Sequence, residues 1–360
     1  MKLNSKRQLW PSGIFLVALI VLFISQYQRQ PQKPEPWRSI PLPVLDQSPV
    51  TLKVVYAVNS RFEVLTDAQL AAVLQKTRQL ARQHLQVELE LELQPSIPVS
   101  ELFRYLPAQV RRARQSAIFT GKAIGKHERE AIYKSIYSSL ERYQDNPQEV
   151  IDYARPYLLG AGDISTLAQL VNAITHTFIT RLEYWTRLQG RDGKPLLDGE
   201  FNEWVWWDSL GYGALPYDVV ITNQPVISME NYDLSMHTSL RGGVTLGTMT
   251  YNRNSPYHGY IFASSYIFNN PLSEPHLYHD AANFSEQEAI DYTALIVTHE
   301  LGHLLFHYGH PFNAVACIMN PTPTISYRGL YKKLDAQACR DMHLPAMKVG
   351  AETITYNPAW

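Results

Sequence analysis

Cysteine is scarce in this chain: 360 residues hold two, Cys317 and Cys339. Two thiols cannot build a disulfide-dense scaffold or a four-cysteine metal site, so stability has to come from a buried core. An excess of charge of one sign is also lacking. Lys and Arg number 32 against 33 Asp and Glu, a net charge of -1, and no basic stripe stands out. The electrostatic footprint that draws nucleic-acid phosphates is missing, so no nucleic acid is expected among the partners. No internal repeat recurs at a fixed period, which argues against a solenoid or propeller. What is present is apolar: 45% hydrophobic against 18% charged residues excludes a disordered protein. A chain of this length can bury a sizeable core as one large domain or two.

The N-terminus places Lys2, Lys6 and Arg7 ahead of an unbroken apolar run from Ile14 to Ile24, the pattern of an export signal or signal anchor. No small-x-small cleavage site follows the run and no lipobox cysteine is present, so residues 1–27 are expected to remain as a membrane anchor. Leu9 to Tyr27 is just long enough to span a bilayer. The basic end should stay in the cytoplasm, with everything after it outside. A cleaved secretory peptide is the alternative. Residues 28–50 carry six prolines between Pro31 and Pro49 and read as a stiff spacer.

The folded part is expected over residues 51–345, with 346–360 as a tail. "TLKVVYAV" is rich in β-branched residues. It is followed by a helix that Thr66 can cap and whose apolar positions Leu70, Val73, Leu74 and Leu80 recur at helical spacing. "VELELELQ" then alternates strictly. From about 98 to 213 the pattern turns helical and tyrosine-rich, and strands resume at Tyr217–Gln224, Gly243–Tyr251 and Gly259–Phe268. The reading is an α+β fold, one mixed sheet interrupted by a large helical insertion; two domains side by side is the alternative.

Chemistry concentrates in "HELGHLLFHYGHPFNAVACIMNP", His299 to Pro321. Ser285 and Glu288 form a capping-box pair that opens a helix into this stretch. His299 and His303, four residues apart, leave one helix face a turn apart and can share a cation. Glu300 beside them can take a proton from water, the division of labour of an H-E-x-x-H metalloprotease. A catalytic zinc needs a third protein ligand and an open position. His307 stands roughly 12 Å beyond His299 along the axis, so the helix cannot easily deliver that ligand itself. Gly309 permits a helix-ending left-handed residue, and His310 follows it. His299, His303 and His310 are therefore the expected ligands, with His307 on the helix flank packing or supporting them; His307 and Asp335 are the alternatives for the third ligand.

The run resembles the metzincin clan of zinc peptidases, H-E-x-x-H-x-x-G-x-x-H followed by a methionine turn. "HELGH" fits, and "CIMNP" looks like the Met-turn, with Met319 as an apolar floor under the metal. The cysteine two residues ahead of the methionine is similar to the archaemetzincin and adamalysin-like branches. The chain departs from the pattern at Phe306, where the family has glycine, and in a third histidine seven residues after His303 instead of six. The four-cysteine second zinc site of archaemetzincins has no counterpart, and Pro321 stands where some members place a metal-facing tyrosine. The resemblance implies a metzincin-like zincin fold, a bound Zn2+ and hydrolysis of a peptide or protein substrate.

Several other features have two readings. Gly242, Gly243 and Gly247 mark an edge strand that can pair with an extended peptide, or an ordinary bulged strand. Cys317 and Cys339 suit a disulfide in an exported protein, or two buried thiols. His276, His279 and Asp280 offer a second metal site, or a polar loop. Trp204, Trp206 and Trp207 line a groove, or pack in a core. The expected function is a membrane-anchored, extracytoplasmic zinc endopeptidase. Its competitor is a non-catalytic envelope binding module with a structural metal, in which Glu300 has no task. An intramembrane protease is disfavoured by the single hydrophobic span.

Overall fold

A computed structural model of the protein describes residues 38–104, 106–109, 124–160, 162–185, 189–194, 203, 206, 215–228, 234–252, 254–270, 283–311, 314–321, 327–339 and 353–356. The apolar run Ile14–Ile24, the residues His276, His279 and Asp280, and Trp204 and Trp207 lie outside the described residues. Among the described residues no helix is long and apolar enough to cross a membrane. Ser39–Tyr356 forms one compact unit.

The chain opens with β1 (Arg38–Pro41) and continues through β2 (Val50–Val58), α1 (Asp67–Leu80) and β3 (Leu89–Leu93). Thr66 caps α1 as its sequence predicts, in a reciprocal pair with Gln69, and Leu70, Val73, Leu74 and Leu80 all face the core. The short β4 (Ile97–Pro98) precedes a helical block of α2 (Val99–Phe103), α3 (Lys126–Leu140), α4 (Gln148–Ala154) and α5 (Leu167–Trp185). The sheet then resumes with β5 (Val219–Thr222), β6 (Val226–Ile227), the short α6 (Met236–Leu240), β7 (Val244–Thr245), β8 (Gly247–Tyr251) and β9 (Gly259–Ser264). After α7 (Tyr266–Asn269) come α8 (Glu286–Phe306), α9 (Tyr327–Lys333) and β10 (Thr353–Tyr356). β10 pairs with β1 in a separate two-stranded sheet, so strands form in stretches that read as spacer and tail.

The main sheet has six strands in the order β3-β2-β5-β9-β8, with β4 pairing the far end of β2. β2, β3, β4, β5 and β9 run parallel, and β8 alone is antiparallel, against β9. Parallel strands need cover on both faces. Leu52, Val54, Val55, Tyr56 and Ala57 of β2 are correspondingly all buried. On one face α8 packs against α1 and β9. Trp206 packs edge-on to Phe103 at 5.4 Å and against Phe262 of β9 at 5.2 Å. It is therefore a core residue. Among the helices of the insertion, α3 packs against α5, and α5 against α6. Ile132 and Ile136 of α3 and Leu170, Ile174 and Phe178 of α5 belong to the same apolar cluster as the sheet. The α+β fold with a mixed sheet and an antiparallel edge thus stands.

Candidate metal centre

The helix that carries the site starts where the sequence places it. The Ser285 hydroxyl accepts from the Glu288 amide, and the Glu288 carboxylate accepts from the Ser285 amide at 2.8 Å. Its C-terminus differs from expectation. Helix α8 stops at Phe306, and His307, not Gly309, takes the left-handed conformation at φ 52°, ψ 30°. The His307 amide donates to the His303 carbonyl at 3.0 Å and the Tyr308 amide to the Gly302 carbonyl at 3.2 Å. The first of these is the bond of an αL cap, and together they close the helix and reverse the chain early. The extra residue before His310 is absorbed there, and Gly309 has no positive φ.

The reversal brings three imidazoles together. The Nε2 atoms of His299 and His303 lie 3.2 Å apart, those of His299 and His310 3.1 Å, and those of His303 and His310 3.0 Å. Ligands at about 2.0–2.1 Å from zinc at tetrahedral angles stand about 3.3 Å from one another, so the set fits such an ion. The tautomers fit too. His299 Nδ1 donates to the Ile318 carbonyl at 2.9 Å, and His303 Nδ1 donates to the Tyr308 carbonyl. A carbonyl only accepts, so in each ring the proton sits on Nδ1 and the Nε2 lone pair faces the cluster. Burial holds His299 down to about 3 and His303 down to about 4. Both are neutral at pH 7, as ligation requires. Among the described residues this is the group of three side chains able to hold a metal ion.

Ala314–Pro321 forms the turn that carries Met319. The Cys317 amide donates to the Ala314 carbonyl and the Asn320 amide to the Cys317 carbonyl, both at 2.9 Å. Met319 is fully buried. A Cβ on Gly302, inside the HELGH run, would collide with the Met319 Sδ. Cys317 is disulfide-bonded to Cys339, which ties this turn to the segment after α9. The Asn320 side-chain amide donates to the Pro311 carbonyl at 2.9 Å, and the Tyr153 hydroxyl of α4 donates to the Pro321 carbonyl at 2.8 Å. The residue after His310 and the insertion are thereby both fastened to the turn.

A cavity of about 380 Å³ opens over the triad. Glu300 lines it next to Gly247 of the edge strand β8, where a Cβ would stand 2.7 Å from the Glu300 Oε1. Burial pushes the Glu300 carboxyl well up from its ordinary range, while the Arg241 guanidinium pulls it down and Glu203 pushes it up. Among the described residues none donates a hydrogen bond to this carboxylate, leaving it able to bond a water.

One wall escaped the sequence reading. His237 and Arg241 enter from the α6 segment, and Glu203 accepts from the hydroxyls of Ser228 and of Thr245, the latter at 3.0 Å. No motif marks them, because the connection between β6 and β7, not a spacing, delivers His237 and Arg241, and hydrogen bonds from Ser228 and Thr245 hold Glu203. The two alternative ligands stay apart from the cluster. His307 is buried as the helix cap, and the Asp335 carboxylate accepts from the Gln337 amide at 2.9 Å. Neither lines the cavity. No family model matches the chain, and no curated protein or solved structure matches it either.

Proposed function

We propose that this protein is a zinc-dependent endopeptidase of metzincin-like fold. The observation that carries the reading is the convergence of three histidine Nε2 atoms beside a buried glutamate in one cavity under an antiparallel edge strand. His299, His303 and His310 would hold the ion. When bound, it polarises a scissile carbonyl and acidifies water. Glu300 accepts the proton of the attacking water and passes it to the departing amine nitrogen. β8 ends the strand order, and among the described residues its outer edge carries no further strand. An extended peptide can add there by main-chain pairing. The Cys317–Cys339 disulfide belongs to an oxidising compartment. It supports an extracytoplasmic catalytic domain, which the N-terminal apolar run would tether.

The test is metal analysis of the ectodomain, followed by a broad peptide library with and without chelator. Wild type should carry one zinc and cleave. Glu300→Gln should keep fold and zinc and lose roughly 10²-fold or more in turnover, since the amide cannot accept the proton. A zinc-loaded wild type that cleaves nothing would replace this reading by the binding module. Cleavage retained in Glu300→Gln would remove Glu300 from the mechanism.

A further inference from the structure

Cleaving a peptide bond builds negative charge on the carbonyl oxygen, and a fixed donor aimed at that oxygen lowers the barrier. The walls nearest the triad are poor in donors. The helix and the methionine turn contribute Leu295, Ile296, Ile318 and Pro321 to the cavity, and the Asn320 amide group is bonded to the Pro311 carbonyl. Besides Thr248 and Tyr327, donors come from the α6 wall: Ser235, His237, Thr238 and Arg241. Ser235 and Thr238 serve the helix itself, since the Ser235 hydroxyl donates to the Thr238 hydroxyl at 2.8 Å and accepts from the Thr238 amide at 3.4 Å; the same hydroxyl lies 3.4 Å from the His237 Nε2 and so helps to orient that ring.

His237 is placed differently. Its ring meets that of His310 edge-on with centroids 4.8 Å apart. That matches the spacing of the triad rings among themselves, 4.7 to 5.1 Å. Yet its nitrogens do not join the cluster of ligand atoms. It stands next to the metal position without occupying it.

The platform beneath it is firm. The Leu234 amide donates to the Ser135 hydroxyl of α3 at 2.8 Å, the Ser239 hydroxyl to the Ser235 carbonyl at 2.7 Å, and Arg181 of α5 to the Leu240 carbonyl. Gly242 turns back at φ 72° so close to Arg181 that a Cβ would collide with it. The insertion thus holds α6 against the site, as a site on rigid supports demands. The Arg241 guanidinium, one turn after His237, lines the same wall of the cavity.

We infer that His237 is a catalytic residue of the proposed hydrolysis, donating a ring hydrogen bond to the carbonyl oxygen of the scissile bond while negative charge builds there. The inference rests on the peptidase reading. In the step, the water oxygen bonds to the carbonyl carbon and the carbon–nitrogen bond breaks. The water proton travels through Glu300 to the amine nitrogen, and His237 keeps its own proton throughout.

The experiment uses the Co2+-loaded protein and inorganic phosphate as a tetrahedral oxyanion probe, read by the visible spectrum of the cobalt. His237→Ala should weaken phosphate by about tenfold or more, the scale of one hydrogen bond to an anion. Cobalt content and affinity for 2-mercaptoethanol, a thiol ligand that needs no such donor, should stay as in wild type. His237→Gln, which restores a donor, should recover part of the loss. Where peptide cleavage is measured, kcat should fall by about 10²-fold with KM little changed. Phosphate affinity equal to wild type in both variants overturns the assignment, as does loss of cobalt from both. A wild type that binds cobalt and phosphate but cleaves no peptide defeats the peptidase reading by itself, and the His237 role in catalysis falls with it. The variant comparison separates this from a failure of His237 alone.

Discussion

The Met319 sulfur occupies the space that a side chain on Gly302 would need. Gly302 lies between the two helix histidines, and Met319 lies one residue beyond Ile318, whose carbonyl orients His299. The contact therefore couples the helix backbone to the turn that aims a ligand. Gly302→Ala should cost about 1–3 kcal/mol by overpacking and lower zinc occupancy. Thermal unfolding and metal analysis check both. In a Met319→Ala background the same substitution should cost less, since neighbouring sites couple. Equal costs in the two backgrounds would show that the sulfur is not what the added methyl meets.

His310 and His307 separate a ligand from a cap. His310→Ala should strip most of the zinc, because a site left with two protein ligands loses one of its few bonds. His307→Ala should leave the zinc in place and act on stability alone, its left-handed backbone being the feature that closes α8. Inductively coupled plasma measurements on both variants decide it. A zinc-free His307→Ala beside a loaded His310→Ala would reverse the assignment.

The elements that read most clearly in the sequence are those held by local rules. The Thr66 and Ser285 caps, the apolar spacing of α1 and the His299–His303 interval all depend on neighbours within a turn. The end of α8 was less legible. Glycine's tolerance of the left-handed region pointed to Gly309, but Tyr308 closes the turn with its amide and accepts the His303 Nδ1–H hydrogen bond with its carbonyl, and His307 holds the left-handed position. His237, Arg241 and Glu203 were illegible, since tertiary packing alone brings them to a motif far away in the chain.

The start of α8 has its own pH signature. Glu288 accepts hydrogen bonds from Arg328 and from the Ser285 amide, and the Arg328 bond first of all pulls its pKa down from 4.5 to about 2. A carboxylate with a depressed folded-state pKa contributes stability that is present above its unfolded value and lost as pH falls through the folded one. The melting temperature should accordingly decline between pH 4.5 and about 2. Arg328→Leu should lower stability at neutral pH and flatten that decline. A variant whose acid limb runs parallel to wild type would remove the pair from the explanation.

Gly247 offers a way to move the proposed base without touching it. A Cβ there would stand 2.6 Å from the Glu300 Cγ and 2.7 Å from its Oε1, so Gly247→Ala must push the carboxylate aside. What gives way is the Glu300 side chain from its Cγ outward, which faces a cavity, not packed backbone. Stability should therefore change little, within about 0.5–1 kcal/mol. Zinc should stay, because His299, His303 and His310 keep their partners. Turnover is another matter: displacing a reacting group by about 1 Å can cost on the order of 10²-fold. Gly247→Ala should thus fold and bind zinc like wild type and cleave far more slowly. Unfolding, metal content and peptide hydrolysis measured on one preparation test the three parts together. Full activity in a folded, loaded Gly247→Ala would mean that the position of Glu300 beside β8 does not matter to the reaction.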